Sequence, residues 1–229
     1  MDGNTTDRLS QKSERRDEKV NSILEDAAEI SGGVLSSIQA IAGTTACKGV
    51  QIARLKEWAQ SNNLWIEDAR TLGTFSDRGS ENEVYLSLES NRVYKLNNFR
   101  YSDDNLMPFF ERIRIHNHLF EDCPYVMIGM AENQSGKPCA VLTQPYILAE
   151  REATEEEITE ELLRLGFHPE MEGEYFFNGY FDIFDASPNN VLMGIDGYLY
   201  FIDTIIYKSD TGGLDTYRSL SPNYSPKLH

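Results

Sequence analysis

Between Asp185 and Asp203 the chain reads DASPNNVLMGIDGYLYFID, and no other stretch constrains the fold as tightly. Two apolar runs, NVLM and YLYFI, flank Gly-Ile-Asp-Gly, so a β-hairpin is predicted around a turn with two glycines. An Asp stands before the hairpin, an Asn five positions later and a second Asp thirteen positions after that. Aspartate and amide side chains offer hard oxygens. In phosphoryl transfer Mg2+ is held by one or two carboxylates together with the phosphates. A carboxylate that positions the attacking hydroxyl must be separate from those ligands. The stretch therefore supplies one positioning acid, Asp185, and two candidate metal ligands, Asn190 and Asp203. Asp182 is a rival for the acid, but it lies on the strand side and misses the spacing.

The bulk of the chain limits what that chemistry serves. A net charge of −16 over 229 residues repels phosphate backbones and argues against nucleic-acid binding. It does not exclude a nucleotide carried by Mg2+, because the metal brings the positive charge. No apolar run approaches the length of a membrane span, and the N-terminus lacks the apolar core of a secretory signal. Three cysteines, Cys47, Cys123 and Cys139, have no CxxC spacing and read as reduced thiols. A cytoplasmic protein with no membrane contact is expected.

Along the chain, the first 15 or so residues are polar and are expected to be frayed or disordered. From Arg16 to Ala42 the pattern is helical, with Val20, Ile23, Leu24, Ala27 and Ile30 in register and Gly32-Gly33 weakening or breaking it. A second helix places Ile52, Leu55 and Trp58 on one face. Texture changes at Leu64. Val84, Leu86 and Leu88 then alternate with Tyr85, Ser87 and Glu89 as in a half-buried strand, and VYKL returns after a turn at ESN. A helix with Phe110, Ile113, Asn117 and Phe120 on one face follows, then strands in YVMIGM and CAVLTQPYIL. Thr154 and Glu157 form a capping box for a helix ended by Gly166, and EYFFNGYFDIF reads as an Asn-Gly hairpin. Glutamates crowding that helix start are favoured by its dipole and read as solvated. His116, His118 and His168 lack partners at ligand spacing and read as structural. Tyr175, Phe176, Phe177, Tyr180 and Phe181 read as core and hairpin packing.

DASPNNV resembles the protein-kinase catalytic loop in its Asp-to-Asn spacing, and Asp203 then falls where that family has the Asp of D-F-G. Lys95 in VYKL matches the lysine of the third strand, and Glu111 in FFERIRIH matches the helix glutamate that pairs with it. GSENEVY resembles a degenerate glycine-rich loop with Gly79 and Ser80 at its turn. VLTQPYI resembles the hinge, whose backbone holds adenine, at Gln144 and Tyr146. The order LKEWAQSNNLWIED, GSENEVY, VLTQPYI and DASPNNVLMGIDGYLYFID is similar to the kinase-like domain of bacterial polyvalent proteins, large multidomain proteins of phages and conjugative elements. It covers about residues 51 to 206.

The resemblance implies an α+β, minimal protein-kinase-like fold that binds ATP and Mg2+. The expected parts are an N-terminal helical extension over 1–62, a β-rich N-lobe with hinge over 63–148, and a reduced C-lobe with catalytic loop over 149–229. Lys95 would contact the phosphates, Glu111 would fix Lys95, Asn190 and Asp203 would hold metal, and Asp185 would orient the acceptor. There are departures. Ile183-Phe184 replaces His-Arg, and without the Arg no switching by an activation-loop phosphate is expected. DTI replaces D-F-G, and glycines are missing from the phosphate loop. Few residues follow Asp203, so the C-lobe is expected to be truncated, with the N-terminal helices packing where its helices would lie. Three readings stay open: a Ser/Thr/Tyr-type protein kinase, a pseudokinase acting as an interaction module, and a small-molecule phosphotransferase. The tail YKSDTGGLDTYRSLSPNYSPKLH is rich in hydroxyls.

Overall fold

The computed structural model describes residues 5–170 and 175–209, with side chains from Ser22 onward. The hydroxyl-rich tail beyond Ser209 lies outside the described residues, as do the first four. The chain divides into two compact units, Met1–Ile113 with Pro124–Tyr146, and Arg114–Cys123 with Ile147–His229.

The first unit opens with α1 (Thr5–Ala42) and α2 (Lys48–Ser61). The α1 helix starts at Thr5, within the polar segment that opens the chain. Arg, Lys, Glu and Gln recur there at spacings that support a helix surface. It also runs unbroken through Gly32-Gly33. Each glycine costs about 1 kcal/mol against alanine, but Leu24, Ala27 and Ala28 on the preceding turns are fully packed. Tertiary burial outweighs local propensity there.

After β1 (Trp65–Ile66) and a 3-10 turn at Ala69–Leu72 come β2 (Thr74–Arg78), β3 (Asn82–Ser87) and β4 (Arg92–Asn97). Then follow α3 (Met107–Leu119), β5 (Val126–Glu132) and β6 (Pro138–Pro145). Pro108 lies in the first turn of α3, as expected. The strands form one six-stranded sheet in the order β1-β5-β6-β4-β3-β2. Only β1 runs parallel to its neighbour, β5. At Gly129 the β5 backbone bulges at φ 152°, and the Leu64 carbonyl comes so close that no Cβ would fit.

The alternation seen in β3 is real, but the buried face is not the aliphatic one. Glu83 and Tyr85 are buried while Leu88, past the strand end, is exposed. Tyr85 packs with Leu96, Val141 and Cys139 on one face of the sheet. Glu83 is held there by Arg78 at 2.8 Å and by the backbone N–H of Gln134 at 3.1 Å. The opposite face carries Met127, Met130, Ala140 and Leu142, which pack with Leu24, Leu55, Phe109, Phe110 and Ile113. Helices α1, α2 and α3 thus cover this sheet face. Leu24, Ala27 and Ala28 of α1 and Leu55 and Ala59 of α2 are buried in this core.

In the second unit the strands are β7 (Ala149–Glu152), β8 (His168–Glu170), β9 (Tyr175–Phe177), β10 (Phe181–Phe184), β11 (Val191–Gly194), β12 (Leu199–Phe201) and β13 (Ile205–Lys208), with α4 (Glu155–Arg164) after β7. They form two sheets, β13-β10-β9-β8 and β12-β11-β7. Both predicted hairpins form. Asn178-Gly179 turns β9 into β10, and Gly194 to Gly197 turns β11 into β12. The capping box closes α4: Thr154 Oγ1 accepts from the Glu157 N–H at 3.2 Å, and Glu157 returns a bond at 2.9 Å. Ile158, Leu162, Phe167, Phe176, Ile183, Val191 and Phe201 make the core between these elements. The three cysteines are buried free thiols.

Candidate active site

Lys95 lies in the middle of β4, opposite Val84 of β3 and Leu142 of β6. Facing residues of adjacent strands point to the same side, so Lys95 shares the sheet face on which α3, the helix of Glu111, packs. The ammonium is buried, with the residue only 5% exposed. Its Nζ donates to Tyr125 Oη at 3.2 Å and lies 5.2 Å from that ring's centroid. Tyr125 went unnoticed in the sequence, because nothing local marks a tyrosine thirty residues away as a lysine's neighbour. Glu111 is half-buried on α3. Val84 and Leu86 stay half-buried on the face of Lys95, an apolar strip next to a cation.

Gly79 and Ser80 occupy the turn between β2 and β3, which is fastened to the rest of its unit. The Gly79 N–H donates to the Asn82 carbonyl at 2.9 Å, and Ser80 Oγ shares a hydrogen bond with Tyr101 Oη at 2.7 Å. Asn98 Nδ2 donates to the Ser80 carbonyl at 3.2 Å. The next residue, Glu81, is buried and pairs with both terminal nitrogens of Arg112 on α3, at 3.3 and 3.1 Å. At the hinge-like segment, Gln144 is buried at the end of β6 opposite Val93, and the Tyr146 N–H donates to the Asn91 carbonyl at 3.1 Å.

In the second unit Asp185 follows β10 directly and has φ 56°, the left-handed region that a non-glycine residue enters at a cost. Side chains hold it there. Asn190 Nδ2 donates to the Asp185 carbonyl at 2.8 Å, and Ser187 Oγ donates to Asp185 Oδ1 at 3.1 Å. A 3-10 turn at Pro188–Asn190 brings the buried Asn190 back under the loop. The Asn190 carbonyl then accepts from the Ile202 N–H at 2.9 Å, which binds the loop to the residue before Asp203. The sequence order Asp, Asn, Asp is thus a spatial cluster. The Asp185 carboxyl is raised above its ordinary value by desolvation, and the Asp203 carboxylate adds to the rise. Hydrogen bonds from Ser187 and Asn190 oppose it.

Two like charges near each other and a buried amide form a set of hard oxygen donors that a divalent cation would relieve of repulsion. The residues therefore fit Mg2+. Among the described residues no three His, Cys, Asp or Glu side chains gather as a complete metal cage.

Asp182, the rival acid, is buried inside β10 and accepts from the hydroxyls of Tyr175 and Ser209. Ile183 and Phe184, which stand in place of His-Arg, are buried, and Phe184 stacks on Tyr175 at 4.9 Å between centroids. His116 is buried with Nε2 3.1 Å from the Cys123 carbonyl.

With the spacing, strand positions and loop geometry set out, comparison with known families decides the class. A family described as Serine/Threonine/Tyrosine kinase found in polyvalent proteins matches residues 48–210, well over half of the chain. The chain belongs to this kinase family. The match takes in every candidate site residue, from Gly79 to Asp203. It begins at the first residue of α2, leaving α1 outside. No curated protein matches the chain. None of the described helices is long and apolar enough to cross a membrane.

Proposed function

We propose that this kinase-like domain is an ATP- and Mg2+-dependent phosphotransferase acting on a hydroxyl acceptor. The observation that carries the reading is the loop at Asp185. A non-glycine residue is held in left-handed backbone by a buried amide, with a second carboxylate nearby. Asn63, Asn91 and Phe99 share this backbone region, so the backbone alone does not mark a site; what supports the reading is that at Asp185 it coincides with a buried amide and a second carboxylate.

In this reading Asp185 accepts a hydrogen bond from the acceptor hydroxyl and orients its oxygen, the raised affinity of its carboxyl for a proton suiting it to receive one. Asn190 and Asp203 would hold Mg2+, which when bound neutralises charge on the phosphates. Lys95 contacts the nucleotide phosphates from the sheet, and Glu111 fixes Lys95. Gly79 and Ser80 cover the phosphates, while the hinge segment at Gln144 and Tyr146 meets the base beside the apolar strip of Val84 and Leu86. The acceptor is a protein hydroxyl, as the kinase family supports. Transfer from Mg-ATP to protein acceptors, with sugars and aminoglycosides as competing acceptors, tests this. Lys95→Met and Asp185→Asn should each lower turnover by about a hundredfold or more. Transfer only to small molecules would move the chain to the small-molecule phosphotransferases.

A pseudokinase is the second reading, and two contacts favour it. The Tyr146 N–H is already taken by Asn91, and the Gly79–Ser80 turn is tied to Tyr101 and Asn98. Nucleotide binding without any transfer would support it.

A further inference from the structure

Asp182 is a carboxylate with 1% exposure whose Oδ1 accepts two hydroxyl bonds, from Tyr175 at 2.9 Å and from Ser209 at 2.6 Å. A buried carboxylate is costly unless it is hydrogen-bonded, and bonds to a charged acceptor are among the stronger ones. Tyr175 alone would be ordinary core satisfaction. Ser209 is different, because it lies just past the end of β13 and reaches in from there. Its N–H also donates to the Tyr180 carbonyl at 2.9 Å. Strand β13 is four residues long and sits at the edge of its sheet, paired only with β10. A short edge strand held on one side is the kind of element that opens locally.

The register shows what such opening would disturb. Phe184 pairs with Ile205, and Phe181 pairs with Lys208. Asp185 is the first residue beyond β10, and Asp203 lies two residues before β13. Both acids therefore hang from one end of the β10–β13 ladder, and Ser209 closes the other end.

We infer that Asp182 is a positioning residue: through Ser209, and braced by Tyr175, it clamps β13 onto β10 and so sets where Asp203 stands against Asp185. The functional half rests on the reading of those two acids as site residues. Phe184 stands where the resemblance expects an Arg that receives an activation-loop phosphate. The clamp uses a plain serine hydroxyl instead, so β13 is held against β10 without modification. A phosphate on Ser209 would set an anion against the Asp182 carboxylate and open the clamp.

Hydrogen exchange on the full chain without nucleotide tests the clamp. Ser209→Ala should speed exchange of the Ile205–Lys208 amides about tenfold. The β11 and β12 amides should be unchanged, and Ser209→Thr should restore protection. A Mg2+ titration of ATP-dependent thermal stabilisation tests the positioning. Ser209→Ala should need severalfold more Mg2+, and the unfolding midpoint of the free protein should fall by only a few degrees. Unchanged β13 exchange, or faster exchange spread evenly over β11 and β12, would overturn the clamp. An unchanged Mg2+ requirement would overturn the positioning role. If the wild type shows no stabilisation by Mg-ATP, the nucleotide reading fails, and the exchange result still decides the clamp.

Discussion

Lys95 and Asp185 are held by opposite means. Lys95 sits in the middle of a regular strand, between two neighbours, and backbone pairing fixes its place. Asp185 sits in strained backbone that no sheet supports, and the side chains of Asn190 and Ser187 fix it. The first kind of placement tolerates substitution around it. The second depends on particular atoms.

The largest expected stability effect tests the robustness of the sheet side, where one side-chain contact does matter. Glu81→Ala removes both Glu81–Arg112 hydrogen bonds in a nearly buried place. It should destabilise by about 2–3 kcal/mol, since hydrogen bonds between charged groups are lost there. Denaturant unfolding measures this, and a double replacement of Glu81 and Arg112 by apolar residues should recover most of it. Asn190→Ala comes next and bears on the loop. Losing the amide that caps the Asp185 carbonyl should cost about 1–2 kcal/mol, and transfer should fall far more than stability. A fall in stability alone would make the two regions alike.

Asp185→Asn should change stability in the other direction, and only slightly. A folded-state pKa above the ordinary value means that stability from this group is present below the carboxylate range and lost as pH rises through it. Removing the charge should therefore stabilise by less than about 1 kcal/mol at neutral pH, because the site is still open to solvent. The gap between variant and wild type should close on acidification. The smallest effect lies away from the site. Arg151 and the cap bonds of Thr154 hold the Glu157 carboxyl down to about 2. Its contribution is present above the usual glutamate range and should fade as pH falls towards that value. Amide exchange in the first turn of α4 would follow this, and no change there would remove Glu157 from the account of the cap.

How far the sequence disclosed these features follows from the same contrast. Gly-Ile-Asp-Gly and Asn-Gly announced their hairpins, since turn chemistry is local. Thr154 and Glu157 announced the cap for the same reason. The Asp-to-Asn-to-Asp spacing was legible because the loop and hairpin close within twenty residues. What escaped was tertiary. Tyr125 beside Lys95, Glu81 against Arg112 and Ser209 on Asp182 each join residues more than twenty apart. The buried side of β3 was misread because Glu83 looks like a solvent residue until Arg78 and the Gln134 N–H are seen to satisfy it. Gly32-Gly33 was misread because helix propensity is weaker than the packing of the turns beside it.

The most direct measurement is thermal unfolding of wild type and Asp203→Ala, with and without Mg-ATP. A ligand at a hundred times its dissociation constant adds about 2.7 kcal/mol to stability. The wild-type midpoint should rise with Mg2+ and ATP together and with neither alone, and Asp203→Ala should fold normally yet show no rise. Equal stabilisation of both proteins, or of neither, would contradict a metal–nucleotide site at Asp185, Asn190 and Asp203.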